Sequence, residues 1–168
     1  MPPPPRQIVY VDTNVVIEAI DTGCWKALLN HYDIRTVAEV RRETQAGNRR
    51  IKDYVEVDKD LFDAKVNVAE VTPAQLAAAQ LRTRLMTQID AGERHLLAYV
   101  VAQDKNALLL TTGDRAAVHA ACALELNDRL RSLEELANVC GQKPKVTEWF
   151  TKKWLSKVKT DYLLGRGS

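Results

Sequence analysis

The sequence contains few cysteines and no long hydrophobic run, and these shortages exclude several classes of protein. Its three cysteines, Cys24, Cys122 and Cys140, are an odd number without the spacing of a metal site. We therefore expect reduced thiols and no disulfide framework. No apolar run approaches the roughly 18 to 20 residues that a membrane-spanning helix requires. The opening residues MPPPPRQ also lack the apolar core of a signal peptide, so the sequence predicts a cytoplasmic protein with no membrane partner.

Neither sign of charge dominates the chain, but the two signs are unevenly distributed. The 168 residues carry a formal net charge of +2. Residues 141–168 hold seven Lys and Arg against two Asp and Glu, a net of +5, which leaves −3 for residues 1–140. A second basic cluster interrupts the acidic part, at Arg41, Arg42, Arg49, Arg50 and Lys52. Such patches are consistent with a polyanionic partner, although solvated helix faces produce similar runs.

The apolar residues fall into short strands that alternate with longer helical segments. QIVYV, DIRT and NALLLTTGD have the β-rich character of strands. Capping signals mark the starts of four helices, at Thr36, Thr72, Asp90 and Ser132. Strands that alternate with helices predict an α/β fold, a three-layer α/β/α sandwich with a central, mainly parallel sheet.

The chain divides into three predicted parts. Residues 1–6 are expected to be a disordered, proline-rich N terminus, residues 7–140 the α/β domain, and residues 141–168 a C-terminal basic helical extension. An apolar stripe bordered by lysines recurs every four residues of the extension, at Phe150, Trp154, Val158 and Tyr162. A helix of this kind either docks on the domain or offers a surface to a protein or nucleic-acid partner, and an exposed stripe would also suit a homodimer.

Acidic residues stand at the ends of predicted strands and on the helices that connect them. Asp12 and Asp114 follow strands, and the carboxyl ends of parallel strands lie at the same edge of a sheet. Glu93 begins the helix before the second of these strands, and Glu39 or Glu43 on an earlier helix can complete the group. Each acid also has a structural explanation, as a helix cap or capping-box partner. Together the acids would repel one another unless a divalent cation such as Mg²⁺ or Mn²⁺ neutralised them.

Four blocks of sequence contain these acids, in the order VYVDTNVVIEA, TVAEVRRET, DAGERHLLAYVVA and LLLTTGD. In order and approximate spacing they resemble the PIN-domain family, metal-dependent nuclease domains that occur in many bacterial and archaeal toxin ribonucleases and in RNA-processing factors. The resemblance covers about residues 7–130 and does not account for the basic extension. It implies that residues 7–140 form a PIN-like nuclease domain.

The resemblance implies a set of four acids that bind the metal and act in catalysis: Asp12, Glu43, Glu93 and Asp114. Asn14 and Thr112 would be the supporting polar groups. We favour Glu43 over Glu39 as the second acid, because the family places this acid in the second turn of its helix and Glu43 lies seven residues after the last threonine of the strand. The third acid stands where the toxin relatives more often have Asp.

The implied function is that of a metal-dependent endoribonuclease, which hydrolyses RNA phosphodiester bonds at a carboxylate-bound Mg²⁺ or Mn²⁺ site. An acidic site also needs nearby cations that offset its repulsion of phosphate. The predicted nucleic-acid contacts are Arg41, Arg42, Arg49, Arg50, Arg94 and Arg115. Many short PIN chains are toxins that an antitoxin protein holds in check, and an antitoxin is therefore a predicted partner beside RNA.

Two other functions stay open on the sequence alone. A PIN-like domain can serve as a non-catalytic module that binds nucleic acid or protein. An aspartate at the end of the first strand also begins aspartyl-phosphate phosphoacceptor sites, but phosphatases of that type have a second Asp two residues later, where this chain has Asn14. Asn14 therefore disfavours the phosphoacceptor, whereas a nuclease assay is needed to separate the enzyme from the binding module.

Overall fold

A parallel β-sheet forms the centre of the computed structural model, which describes residues 1–46 and 55–166. Within these residues the sheet has four strands in the order β3-β2-β1-β4, and each neighbouring pair is parallel. The strands are β1 (Ile8–Val11), β2 (Asp33–Val37), β3 (Asn67–Ala69) and β4 (Leu108–Thr111). The parallel arrangement places the carboxyl end of every strand at one edge of the sheet.

Helices connect the strands and cover the sheet. The described residues form nine α-helices: α1 (Thr13–Asp21), α2 (Trp25–His31), α3 (Ala38–Gln45), α4 (Lys59–Lys65), α5 (Pro73–Arg82), α6 (Ala91–Val101), α7 (Arg115–Ala123), α8 (Leu133–Val139) and α9 (Lys152–Leu163). Short 3₁₀ turns occupy Arg84–Gln88, Lys105–Ala107, Asn127–Arg129 and Glu148–Phe150.

Two hydrophobic clusters form the core. Successive side chains of a strand point to opposite faces, so Tyr10 of β1 belongs to one cluster while Val9 and Val11 belong to the other. Helices α5, α6, α7 and α9 supply the first cluster, and α1, α2, α4 and α8 supply the second. The predicted α/β class with a parallel central sheet is confirmed, and the two clusters are consistent with a three-layer sandwich.

Several sequence-based expectations about local structure are wrong. Thr36 does not cap α3; its hydroxyl donates to the carbonyl of Val11 at 2.7 Å and so ties β2 to β1. Val37 is the N-cap instead, without a side-chain bond, and Glu39 therefore forms no capping box with Thr36. The segment DRLR before α8, where the sequence suggests a further short strand, forms a single bridge, between Leu130 and Leu110. Strand β3 and helix α4 were not predicted, because their short segments lack a clear apolar period.

The C-terminal residues pack against the rest of the chain. Helix α9 begins at Lys152, later than the sequence predicts, because a 3₁₀ turn precedes it and Thr151 is its N-cap. Leu155 and Val158 of α9 are buried in the first cluster, and Phe150 is buried in the second. The apolar stripe of the extension therefore docks on the domain, which was one of the two interpretations open from the sequence.

The N-terminal residues and the apolar content of the helices add two further observations. Residues 1–7 have no regular secondary structure, although Arg6 donates a hydrogen bond to the carbonyl of Leu29 at 3.2 Å. In residues 1–46 and 55–166, no helix is both long enough and apolar enough to cross a bilayer. Cys24, Cys122 and Cys140 are free thiols.

Candidate functional site

A cleft of about 280 Å³ lies where β1 ends. Asp12 follows β1 directly, Thr112 and Asp114 follow β4, and β2 runs straight into α3. Polar and charged side chains make up most of its lining, which consists of Asp12, Thr13, Asn14, Arg42, Glu43, Ala46, Asp90 and Glu93. The fold therefore brings three of the four predicted acids into one cleft, while the fourth, Asp114, stands at the start of α7 beside it.

Three aspartates of this region cap the helices that begin here. Each uses one carboxylate oxygen to accept a backbone N–H: Asp12 from Val15 at 2.9 Å, Asp90 from Glu93 at 2.9 Å, and Asp114 from Ala117 at 2.8 Å. Such a cap stabilises a helix by about 1 kcal/mol, and the partial positive charge of the helix N terminus favours the carboxylate. The second oxygen of each carboxylate is not needed for the cap. A structural role and a chemical role are therefore compatible in the same residue.

Asp12 is the most enclosed of these carboxylates, with 2% of its surface exposed. Its second oxygen accepts a hydrogen bond of 2.6 Å from the Thr112 hydroxyl, whose oxygen accepts the N–H of Asp114 at 3.2 Å. Burial, and to a smaller extent the charges of Asp90 and Asp114, raise the pKa of Asp12 to about 7, against the opposing effect of its two hydrogen bonds. Without a cation, Asp12 therefore gains a proton near neutral pH.

Glu93 is also buried, with 6% of its surface exposed. One of its oxygens accepts the N–H of Asp90 at 3.4 Å, which completes the capping box predicted for α6. Burial is the main cause that raises the pKa of Glu93 to about 9, followed by the charges of Asp12, Asp114 and Asp90. In the part of the chain that the structure describes, neither Asp12 nor Glu93 forms an ion pair with a Lys or Arg.

Glu43 joins three helices at the cleft. One carboxylate oxygen accepts the Thr13 hydroxyl at 2.6 Å, and the other accepts the N–H of Gly92 at 3.1 Å. Helix α3 is thereby linked to the first turns of α1 and α6. Glu39 pairs instead with Arg42 on its own helix. Of the two alternatives for the second acid, Glu43 is the one that lines the cleft.

The arginines on α3 form ion pairs on the protein. Arg41 makes a two-pronged contact with Asp63, with both N···O distances at 2.8 Å. Arg42 lines the cleft while it pairs with Glu39, which lowers the pKa of that carboxyl. Among the predicted nucleic-acid contacts in the part of the chain that the structure describes, Arg42 is the one that lines the cleft.

The other predicted arginine contacts receive less support. Arg94 donates to two backbone carbonyls of the turn before α6, at 3.0 and 2.8 Å, so its guanidinium holds that turn instead of facing a partner. Arg115 pairs with Asp161 of α9 at 3.2 Å. Arg49 and Arg50 lie outside the described residues. The phosphate contacts of Arg94 and Arg115 stay predictions.

Two residues of the cleft were not identified as site residues from the sequence. Asp90 was interpreted only as the N-cap of α6, although a capping box necessarily places its two acids within one turn. That spacing was the signal that could have identified it. Thr13 was passed over in favour of its neighbour Asn14, which is exposed and also lines the cleft. The bond from Thr13 to Glu43 spans 30 residues and has no local signature.

The carboxylates do not form a ready-made metal cage. Among residues 1–46 and 55–166, no three His, Cys, Asp or Glu side chains are arranged so that they could hold a metal ion together. Each of the three aspartates turns one oxygen to a helix start, and both oxygens of Glu43 accept hydrogen bonds.

Comparison of the chain with protein-family models and with curated proteins finds no match. The resemblance to PIN domains therefore rests on the four blocks of sequence and stays a prediction.

Proposed function

We propose that this protein is a metal-dependent endoribonuclease that hydrolyses RNA phosphodiester bonds at the cleft. The observation that carries the proposal is the joint burial of Asp12 and Glu93 beside two further acids. A helix cap needs neither deep burial nor acidic neighbours. Burying carboxylates without a paired cation costs several kcal/mol each, so this arrangement is expected where a cation binds. The resemblance to PIN domains supports the same function.

The chemistry of the donor set fits Mg²⁺ or Mn²⁺. Both are hard cations that prefer carboxylate oxygens. Mg²⁺ commonly takes only one or two carboxylates and keeps several waters, so the lack of a three-residue group in the described chain does not conflict with it. Asp12 and Glu93 would hold the ion, with Asp90 and Asp114 adding negative charge. A bound ion lowers the pKa of a coordinated water and stabilises charge on the leaving oxygen.

The surrounding side chains of the cleft hold these acids in place. The Thr112 hydroxyl fixes the orientation of the Asp12 carboxylate, and the Asp90 N–H fixes one oxygen of Glu93. Glu43 links the helices around the cleft, because its carboxylate accepts hydrogen bonds from Thr13 and from the start of α6. Asn14 presents an amide to the opening of the cleft, where it can donate to a phosphate oxygen.

A cleavage assay tests the proposal. Purified protein is incubated with a mixture of structured RNAs in Mg²⁺, in Mn²⁺ or in EDTA, and fragments are resolved on denaturing gels. Cleavage is expected only with a divalent cation and should return when excess cation is added to the EDTA sample. Full activity in EDTA, or none under any condition, contradicts the proposal.

Gly92→Ala is expected to slow RNA hydrolysis about tenfold or more, the range seen when a supporting contact is lost. Alanine in a helix normally stabilises by up to about 1 kcal/mol relative to glycine. Here a Cβ would clash with the carboxylate of Glu43, which must then shift from the position in which it accepts its present bonds. The free energy of unfolding should therefore not rise. Denaturant unfolding and single-turnover cleavage measure the two effects.

Three further substitutions identify the cause of the Gly92→Ala effect and test the choice of the second acid. With Glu43→Ala in the background the steric conflict is gone, so Gly92→Ala should then stabilise the fold. Glu39→Gln is the matched control, because it alters the pair with Arg42 and leaves Glu43 in place. Loss of activity with Glu39→Gln that equals or exceeds the loss with Glu43→Gln would reverse our choice of the second acid.

A non-catalytic nucleic-acid-binding module is the second candidate. It is favoured by the absence of a three-residue metal group in the described chain. RNA binding with no cleavage in either cation would identify it. An antitoxin partner and a homodimer stay predictions from the sequence.

A further inference from the structure

We propose that the chain binds single-stranded RNA on a surface beside the cleft, formed by Lys145, Trp149, Lys152 and Lys153. We call it the Trp149 surface. The inference rests on the proposed function, because it names the form of RNA that reaches the cleft and the side chains that hold it.

The position of this surface follows from a contact between Phe150 and Gly113. A Cβ on Gly113 would lie 2.5 Å from Cε1 of Phe150, so the buried phenyl ring lies directly against this glycine. Gly113 stands between Thr112, which binds Asp12, and Asp114, which caps α7. The Trp149 ring is next to the Phe150 ring, with centroids 6.4 Å apart. The Trp149 surface is therefore one aromatic ring away from the turn that borders the acidic cleft.

Trp149 exposes 48% of its surface, whereas Trp25 is buried and Trp154 is partly buried. About half of the surface of the Trp149 residue itself is therefore accessible to a partner. Aromatic rings stack on bases of any sequence, provided that the bases are not already stacked in a duplex. The exposed ring therefore fits an unpaired base.

The lysines of the surface add positive charge beside the cleft, where Arg42 is already paired with Glu39. Lys145, Lys152 and Lys153 are exposed, and within the described residues none of them forms an ion pair. Lys152 and Lys153 lie in the first turn of α9, where the helix dipole disfavours cations. They therefore do not serve to stabilise the helix. Their charge offsets the repulsion between the carboxylates and a phosphate backbone.

The segment is held in place before any ligand binds. Both the N–H and the hydroxyl of Thr147 donate to Glu18 of α1, at 2.7 and 2.8 Å. The N–H of Lys152 donates to Glu134 of α8 at 3.1 Å. With Phe150 buried between these two anchors, the backbone that carries Trp149 needs little ordering on binding, which favours affinity.

Fluorescence anisotropy with labelled oligouridine tests the surface. The full chain is used in EDTA, so that binding is measured apart from hydrolysis. Trp149→Ala should weaken binding at least about fivefold, and Trp149→Phe should retain most of the affinity because a ring remains. Removing two phosphate contacts with Lys152→Ser and Lys153→Ser should reduce the slope of log affinity against log salt by about 1.4.

Matched controls lie away from the surface. Leu163→Ala changes an exposed apolar residue at the far end of α9, and Lys105→Ser changes an exposed lysine before β4, at the opposite edge of the sheet. Both should bind oligouridine as the wild type does. Equal binding of poly-glutamate, which has charge but no bases, would overturn the proposal in favour of an acidic protein partner. So would wild-type affinity of Trp149→Ala.

The cleavage assay separates this inference from the proposed function. If the wild type cleaves RNA with metal and Trp149→Ala has unchanged affinity and KM, the surface is wrong and the nuclease stands. If binding depends on Trp149 and the wild type cleaves nothing, the surface stands and the nuclease is wrong.

Discussion

Asp12→Asn is expected to abolish RNA hydrolysis and to make the folded protein more stable. Loss of a supporting contact around a metal costs about 10- to 100-fold in activity, so loss of the central carboxylate should cost more than about 100-fold. The amide keeps the shape and the cap of α1 but carries no charge. Because Asp12 is buried with a pKa of about 7, its ionised form is costly at pH 8.

The gain in stability is measured in EDTA at pH 8. We expect the free energy of unfolding to increase by about 2 kcal/mol. This increase corresponds to a rise in Tm of about 4 to 8 °C for a chain of this size. Asp58→Asn is the matched control, because Asp58 caps α4 through the same type of bond, at 3.0 Å, but is exposed and away from the cleft. It should change neither activity nor stability.

The activity and the stability of Asp12→Asn together distinguish a role of Asp12 in hydrolysis from a role as a helix cap alone. A residue that only caps α1 would leave hydrolysis intact when replaced by asparagine, which is an equally good cap. Retained cleavage would therefore reject Asp12 as the centre of the site. If Asp12→Asn abolished both cleavage and folding, the buried carboxylate would not destabilise the folded protein as we expect. That result would also contradict our explanation.

The second large effect is a fall in stability with rising pH in the absence of metal. In the unfolded chain, Asp12 and Glu93 titrate near the usual carboxyl pKa of about 4. In the folded protein burial raises the pKa of Asp12 to about 7 and of Glu93 to about 9. Between these values the folded state binds more protons than the unfolded state, so the free energy of unfolding falls as pH rises. The two protonated carboxyls contribute their full stabilisation of the fold below about pH 4. This stabilisation is lost as the pH rises through about 7 for Asp12 and about 9 for Glu93.

Urea unfolding at several pH values between 4 and 9, in EDTA, measures this dependence. The difference between the wild type and the double variant Asp12→Asn, Glu93→Gln isolates the two carboxyls from other titrating groups, and it should reach several kcal/mol. Excess Mg²⁺ or Mn²⁺ should reverse the trend for the wild type alone, because a cation binds the deprotonated carboxylates. Identical pH profiles for the two proteins would show that neither carboxyl titrates as described.

The parts of the fold that the sequence predicts correctly are those with local causes. The helix starts predicted at Thr72, Asp90 and Ser132 are all present, and each has a capping-box partner three residues away. Strands β1 and β4 were predicted because they are continuous apolar runs. Thr36 has the same local sequence pattern as the other caps, but its hydroxyl donates to a carbonyl of the neighbouring strand β1, that of Val11. Such competition from distant residues cannot be read from the local pattern.

In the candidate site, too, the sequence predicts some features, whereas others depend on contacts between distant residues. The topology of a parallel sheet was enough to predict that Asp12 and the turn before Asp114 lie at one edge. The partners of Glu43 lie 30 and 49 residues away in sequence, so its role as a link between helices required coordinates. Arg94 was predicted to face a ligand on charge alone, whereas its contacts with backbone carbonyls depend on how the chain turns before α6.

The contact between Phe150 and Gly113 also bears on the order in which the molecule is completed during translation. A growing polypeptide emerges from the ribosome N terminus first, and its early parts begin to fold before the later parts are made. Phe150 is synthesised 37 residues after Gly113. Until it emerges, the turn that holds Thr112 and Asp114 lacks the ring that covers it. The turn that borders the cleft therefore receives its covering ring only after residue 150 has been made.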